Sequence, residues 1–253
     1  MQLNIFTPKL PVAAPPWTKL GKRLESLCRK AIFELSLLEG VTKVAVALSG
    51  GKDSLTLLYL LKAISGRGIQ NFEIIAIHVG GAFSCGAGIS EKFLEGICKE
   101  LGVKLIIREA TQKLEDLECY SCSRKRRTLI FNAAKEEGAT VIAFGHHKDD
   151  SVQTLLMNLL HKAEFAGNLA KVPMQDYGIT IIRPLIFILE DEIKEFAKLY
   201  NFNRIVCGCP VGQNSLRKKT KELIEQMKEH FPNALENLFQ ASLEYGSKKA
   251  EKR

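Results

Sequence analysis

Apolar and polar positions along the chain alternate between two periods. Val44-Ala45-Val46-Ala47-Leu48 is an unbroken run of small and branched apolar residues, as in a parallel strand covered on both faces. Ser54 to Leu61 follows with helical character. Further strands are predicted over Phe72–Val79, Val103–Ile107, Thr140–Phe144 and Ile179–Ile182. Helices are predicted over Ile89–Leu101, Cys122–Glu137 (with Ser121 or Ser123 as N-cap) and Asp149–Leu160. Strands separated by helices at this spacing call for an α/β fold: a Rossmann-like, mostly parallel sheet with helices on both faces. In such sheets ligands bind beyond the carboxyl ends of the strands.

The flanks are helical. From Trp17 to Leu38, Leu20, Leu24, Leu27, Ala31, Ile32, Leu35 and Leu38 recur at helical spacing, beside the basic residues Lys19, Lys22, Arg23, Arg29 and Lys30. That basic flank reads equally as the solvated side of a packing helix or as a surface for nucleic acid. From Leu189 the chain is helical and basic, closing with Ser215–His230 and Asn233–Tyr245. The expected organisation is an N-terminal arm and helix (1–38), a central α/β domain (39–210), C-terminal helices (211–245) and a disordered charged tail (246–253).

Composition narrows the class. The 253 residues are 46% hydrophobic and 25% charged, as in a soluble globular protein. No apolar run is long enough for a membrane helix, and the first residues do not read as a signal peptide, so a cytoplasmic location is the default. The net charge of +8 points toward a polyanionic partner without requiring one. Seven cysteines in such a chain argue against a disulfide framework and direct attention to metal or redox chemistry.

The chemistry gathers just after the strands. Ser49-Gly50-Gly51-Lys52-Asp53-Ser54 places two glycines, a lysine and an aspartate at a strand-to-helix turn, where converging amides and the helix dipole favour a phosphate. The spacing is not that of a Walker loop. His78 ends the second strand, and Gly145-His146-His147-Lys148-Asp149-Asp150 ends the fourth. Adjacent carboxylates beside a phosphate site call for a cation, naturally Mg²⁺; singly, either aspartate reads as a helix cap. Cys119-Tyr120-Ser121-Cys122 and Cys207-Gly208-Cys209-Pro210 fit a Cys₄ zinc site, an iron–sulfur cluster or a redox pair, and the C-x-C spacing favours the cluster. Arg124 and Arg127, in a run of four cations, and Arg217 and Lys218 are candidates for RNA phosphates.

Taken in order, Ser49–Ser54, Glu118–Arg124, Gly145–Asp150 and Ile182-Arg183-Pro184-Leu185 resemble the tRNA 2-thiocytidine synthetase (TtcA) family of PP-loop ATP pyrophosphatases. The resemblance implies an adenine nucleotide alpha hydrolase-like fold. It implies a tRNA sulfurtransferase that uses ATP to adenylate the C2 oxygen of a cytidine in the anticodon loop, then replaces it with sulfur, forming AMP and pyrophosphate. It further implies a 4Fe–4S cluster held by Cys119, Cys122 and Cys207, with Cys209 competing for the third position because the usual C-x-x-C-G is shortened here. Nucleotide contacts would come from Ser49, Gly50, Gly51, Lys52, Asp53, Ser54, His78, Gly145, His146, Asp150 and Arg183. Asp53 and Asp150 would organise Mg²⁺, and Asp53, Asp150 and Cys207 would carry catalysis. The acidic residue often found in relatives after the second strand is missing from His78-Val79-Gly80-Gly81. The implied partners are tRNA and a sulfur donor such as a cysteine desulfurase, and homodimers are common among relatives. The nearest rivals are a 2-thiouridine or lysidine synthetase. A non-catalytic nucleotide-binding redox module is the rival of a different class.

Overall fold

The computed structural model describes residues 10–81, 91–110, 119–202 and 216–245, leaving aside the side chains of 119–122. Helix α1 (Lys19–Glu34) precedes the sheet, capped by Thr18, whose hydroxyl accepts from the Gly21 amide. Five strands, β1 (Lys43–Ala47), β2 (Glu73–Gly80), β3 (Lys104–Glu109), β4 (Val141–Ala143) and β6 (Ile179–Ile182), are mutually parallel. A sixth, β5 (Lys171–Met174), pairs antiparallel with β6, and the sheet order is β3-β2-β1-β4-β6-β5. The pattern did not predict β5. It is four residues long, half-exposed and contains Pro173, which is tolerated only at a sheet edge.

Residues alternate across β1. Val44 and Val46 enter one core with α1, α2 (Lys52–Ile64), α3 (Glu91–Leu101), α5 (Lys148–Lys162) and α6 (Glu190–Leu199); Ala45 enters the other, against α4 (Cys119–Glu136). Seven of the eight β2 residues are buried, as a strand covered on both faces requires. Helix α2 is buried almost all round, which is why its sequence lacks a polar stripe. Helix α1 buries Leu24, Cys28 and Ala31 completely and turns Lys19, Lys22 and Arg23 outward, with Arg23 paired to Glu192. Helix α4 starts at Cys119 rather than Cys122, so Ser121 and Ser123 lie inside its first turns and neither is the N-cap. Helices α7 (Leu216–His230) and α8 (Ala234–Tyr245) pack on α5. Among the described residues no helix is long and apolar enough to cross a membrane.

The order fixes where a ligand can sit. The chain leaves β1 toward β2 on one side, while β4 and β6 lie on the other, so the sheet changes direction between β1 and β4. The crevice at the carboxyl ends of those two strands is the binding position of open α/β sheets.

Candidate phosphate site at the switch of the sheet

The loop after β1 turns at Gly50, whose φ of +81° lies in the left-handed region open to glycine. Ser54 holds the turn: its Oγ accepts from the Gly50 amide, donates to the Gly51 carbonyl and sits 3.1 Å from Ser49 Oγ. Gly51 is the N-cap of α2 and brings no side chain to cap it. The first amides of α2 therefore end at a position without a Cβ, as an anion cradle needs. His78 supports this loop from β2, where its buried ring lies with Nδ1 2.8 Å from the Leu48 carbonyl oxygen. Burial outweighs that bond and lowers the His78 pKa, keeping the imidazole neutral.

The loop after β4 closes against the same turn. A Cβ on Gly145 would stand 2.9 Å from the Asp53 carbonyl carbon and oxygen and 3.0 Å from the Ser54 amide nitrogen. The two loops thus touch backbone to backbone, and only glycine permits it. His147 then sits among three carboxylates: Nε2 lies 3.4 Å from Asp150 Oδ2 and 3.8 Å from Asp53 Oδ1, and Nδ1 3.5 Å from Asp149 Oδ2. Burial disfavours the imidazolium, but Asp149, Asp150 and Asp53 together raise its pKa. Asp150 also accepts from the His147 amide, the N3 half of a capping box. Burial opposes its charge as well, and His147, His146 and Arg217 outweigh that and lower its pKa. His146, against Phe144, has an Nδ1 sealed from solvent with no partner among the described residues. Burial and then Arg183 push its pKa down, so this histidine is neutral.

Arg183, at the carboxyl end of β6, is 6% exposed. Its Nη1 donates to the Leu169 carbonyl, and its Nε is sealed without a partner among the described residues. Burial and Arg127 lower its pKa to about 10, still well above neutrality. A buried guanidinium with an unused donor beside the cradle fits a site for anions.

Lys52 lies 2.8 Å from Asp53 Oδ1 and 3.3 Å from Glu190 Oε1. Glu190 was not among the sequence candidates. In the first turn of α6 it looked like an ordinary acid on a helix dipole, yet it meets Lys52, Lys194 and Lys221. Burial works against its charge, but those lysines hold its pKa down at about 2. Arg217, a candidate RNA contact from the sequence, has its Nη1 2.6 Å from Asp150 Oδ1. Arg124, Arg127 and Lys218 are exposed. Cys119 and Cys122 take the first and fourth positions of α4. Because β3 and β4 are parallel, that helix starts at the same carboxyl edge as the cradle. Cys207 and Cys209 lie outside the described residues.

Comparison with known proteins agrees with this geometry. Residues 18–205 match the PP-loop domain family. The tRNA-cytidine(32) 2-sulfurtransferase of Nitrosospira multiformis is 34% identical over 230 residues, 87% of this chain and 76% of that protein. The protein of the same name from Stenotrophomonas maltophilia is 36% identical over 239 residues, 91% of this chain and 79% of that protein. Among solved structures, the U34-tRNA thiolase NcsA from Methanococcus maripaludis, determined with its 4Fe–4S cluster, shares the fold with a TM-score of 0.71. The match has 24% identity and spans 87% of this chain and 77% of that one. A switch-point phosphate cradle, a second loop locked onto it by Gly145 and this degree of similarity place the chain in the tRNA-cytidine(32) 2-sulfurtransferase family of PP-loop proteins.

Proposed function

We propose that this protein is an ATP-dependent tRNA sulfurtransferase that replaces the C2 oxygen of a cytidine in the anticodon loop with sulfur. The observation that carries the reading is the joint closure of the two loops at the β1/β4 switch, which gathers Lys52, Asp53, His147 and Asp150 around one phosphate cradle.

The residues fit the nucleotide. A Cβ on Gly51 would meet only Ser49 Oγ, at 3.5 Å, so the cradle has room for a phosphate at the mouth of α2. The amides of Lys52 to Ser54 and the Lys52 ammonium would hold the polyphosphate, with Arg183 as a second cation. Attack of the cytidine C2 oxygen on the α-phosphorus breaks the bond to pyrophosphate. The activated oxygen then departs with AMP when sulfur adds to C2. The cradle assists by stabilising charge as it develops on the phosphate oxygens.

The fit to Mg²⁺ is weaker. Asp53 already faces Lys52 and Asp150 already faces Arg217, and no cluster of three or more His, Cys, Asp or Glu among the described residues is arranged to hold a metal. A divalent ion would need phosphate oxygens for most of its shell, as Mg²⁺ commonly does. Cys119 and Cys122, one turn apart at the start of α4, suit two positions of a 4Fe–4S cluster, with Cys207 in the third and Cys209 as its competitor. When bound, such a cluster supplies the sulfur-presenting chemistry. Exposed Arg124, Arg127 and Lys218 supply contacts to the tRNA backbone. A splayed anticodon-loop base can enter a pocket that duplex RNA would deny it. A cysteine desulfurase as sulfur donor and a homodimer complete the proposal.

The test is mass spectrometry of tRNA nucleosides from cells with and without the gene. Loss of 2-thiocytidine in the deletion, restored by the wild-type chain, is the expected result; 2-thiocytidine unchanged in the deletion refutes it. Protein purified without air should be brown, and only one of the variants Cys207→Ala and Cys209→Ala should lose its colour, which identifies the third ligand. Colourless protein with stoichiometric zinc would overturn the cluster.

A further inference from the structure

The loops themselves bring one cation, Lys52, to the mouth of the cradle, yet two more reach it from α7. Arg217 and Lys221 stand four residues apart, on one face of that helix. Arg217 Nη1 lies 2.6 Å from Asp150 Oδ1 and 3.5 Å from Gln153 Oε1. Lys221 Nζ donates to Glu190 Oε2, while the other oxygen of Glu190 lies 3.3 Å from Lys52 Nζ. Glu190 is itself fixed, because its amide donates to Asp149 Oδ2 at 2.8 Å. Charges of alternating sign therefore run from the cradle lysine through Glu190 to α7, and return from α7 through Arg217 to Asp150. Arg217 and Lys221 remain 44% and 42% exposed, so they lie over the rim rather than filling a core. A cavity of about 260 Å³ opens beside Lys221, lined by Lys194 and Lys221 and by the carboxylates of Asp149, Glu190, Asp191 and Glu225.

We propose that α7 supplies a second cationic arm of the polyphosphate site: Arg217 and Lys221 turn from Asp150 and Glu190 onto the outer phosphates of ATP and hold the pyrophosphate as it leaves. This rests on the ATP-cleaving reading above and reassigns Arg217, which the sequence placed with RNA. A triphosphate concentrates more negative charge than either carboxylate. The guanidinium fork matches phosphate oxygens in a way a single ammonium does not. Asp150 and Glu190 act as resting counter-ions that keep both cations aimed at the site, so little ordering is needed when the nucleotide arrives.

The experiment uses the full chain and the variants Arg217→Ala, Arg217→Lys, Lys221→Ala and the double Ala variant. ATP binding is measured by equilibrium dialysis, pyrophosphate by competition against it, and tRNA by filter binding across a salt series. Loss of one charge-assisted contact should weaken ATP and pyrophosphate roughly tenfold. Arg217→Lys should recover part of the loss, and tRNA affinity should stay within about twofold at each salt. Unchanged ATP affinity with weaker tRNA binding and a shallower salt slope returns Arg217 to the RNA surface and overturns the proposal. A lower melting temperature with ATP and pyrophosphate affinities intact makes the pair a structural staple, which also overturns it. Dialysis needs no turnover, so a failure to find 2-thiocytidine in cells would strike the sulfurtransferase reading separately.

Discussion

Gly145→Ala tests the contact on which the site depends. The added methyl would lie 2.9 Å from the carbonyl carbon and oxygen of Asp53 and 3.0 Å from the Ser54 nitrogen. Those are backbone atoms in the first turn of a buried helix, so they cannot swing aside. Ordinary contact between such atoms is about 3.5–4.0 Å, so the loops must part by roughly 0.5–1 Å. Overpacking of this kind costs about 1–3 kcal/mol, which in a chain of this size lowers Tm by roughly 2–12 °C. The larger effect falls on chemistry, because a displacement near 1 Å between reacting groups costs on the order of 10²-fold. Pyrophosphate release with ATP and tRNA, measured well below the variant's Tm, should fall by about that factor while circular dichroism shows a folded protein. Turnover within twofold of wild type, with unchanged ATP affinity, would show that the loops need not touch, and the reasoning would fail.

Three further outcomes follow from the same geometry. Gly51→Ala meets only Ser49 Oγ, at 3.5 Å, so Tm should move by no more than a few degrees while the new methyl fills the cradle and weakens ATP at least tenfold; retained affinity would place the phosphate elsewhere. Trp17, the only tryptophan, is 8% exposed, donates to Glu25 and packs on Phe196 at 5.7 Å; Trp17→Ala should cost about 3–5 kcal/mol, read as a fall of roughly 10 °C in Tm. In wild type, Trp17 fluorescence and circular dichroism should lose structure together, and separate transitions would show that α1 is not part of the cooperative unit. Glu190 has its folded pKa depressed to about 2 from an ordinary 4.5, so its stabilisation is full above 4.5 and is lost as the pH falls toward 2. Denaturant midpoints of wild type and Glu190→Gln should therefore differ most near neutrality and converge by about pH 2; a gap independent of pH would show that charge is not the cause.

Local patterns along the chain were enough for the architecture and for the location of the chemistry. Val44 to Leu48 reads as a covered strand, and Ser49 to Ser54 as the glycine turn and helix start that follow it, because apolar runs, glycines and helix starts act locally. The same holds for Gly145 to Asp150 after β4. The locally weak signals were lost: β5 is short and carries a proline, and the start of α4 was set three residues late by taking a serine inside the helix for its cap. Which residues meet was settled by the packing of distant elements. Gly145 looked like any loop glycine until Asp53 and Ser54 were laid against it, and His147 was one histidine of two until three carboxylates surrounded it. Glu190 lies far along the chain from Lys52, and Arg217 from Asp150, so no periodicity connects either pair. Period and propensity report neighbours along the chain. The charges of this site come from the first turns of α2, α5 and α6, from the end of β6 and from α7, and folding alone brings those ends to one edge.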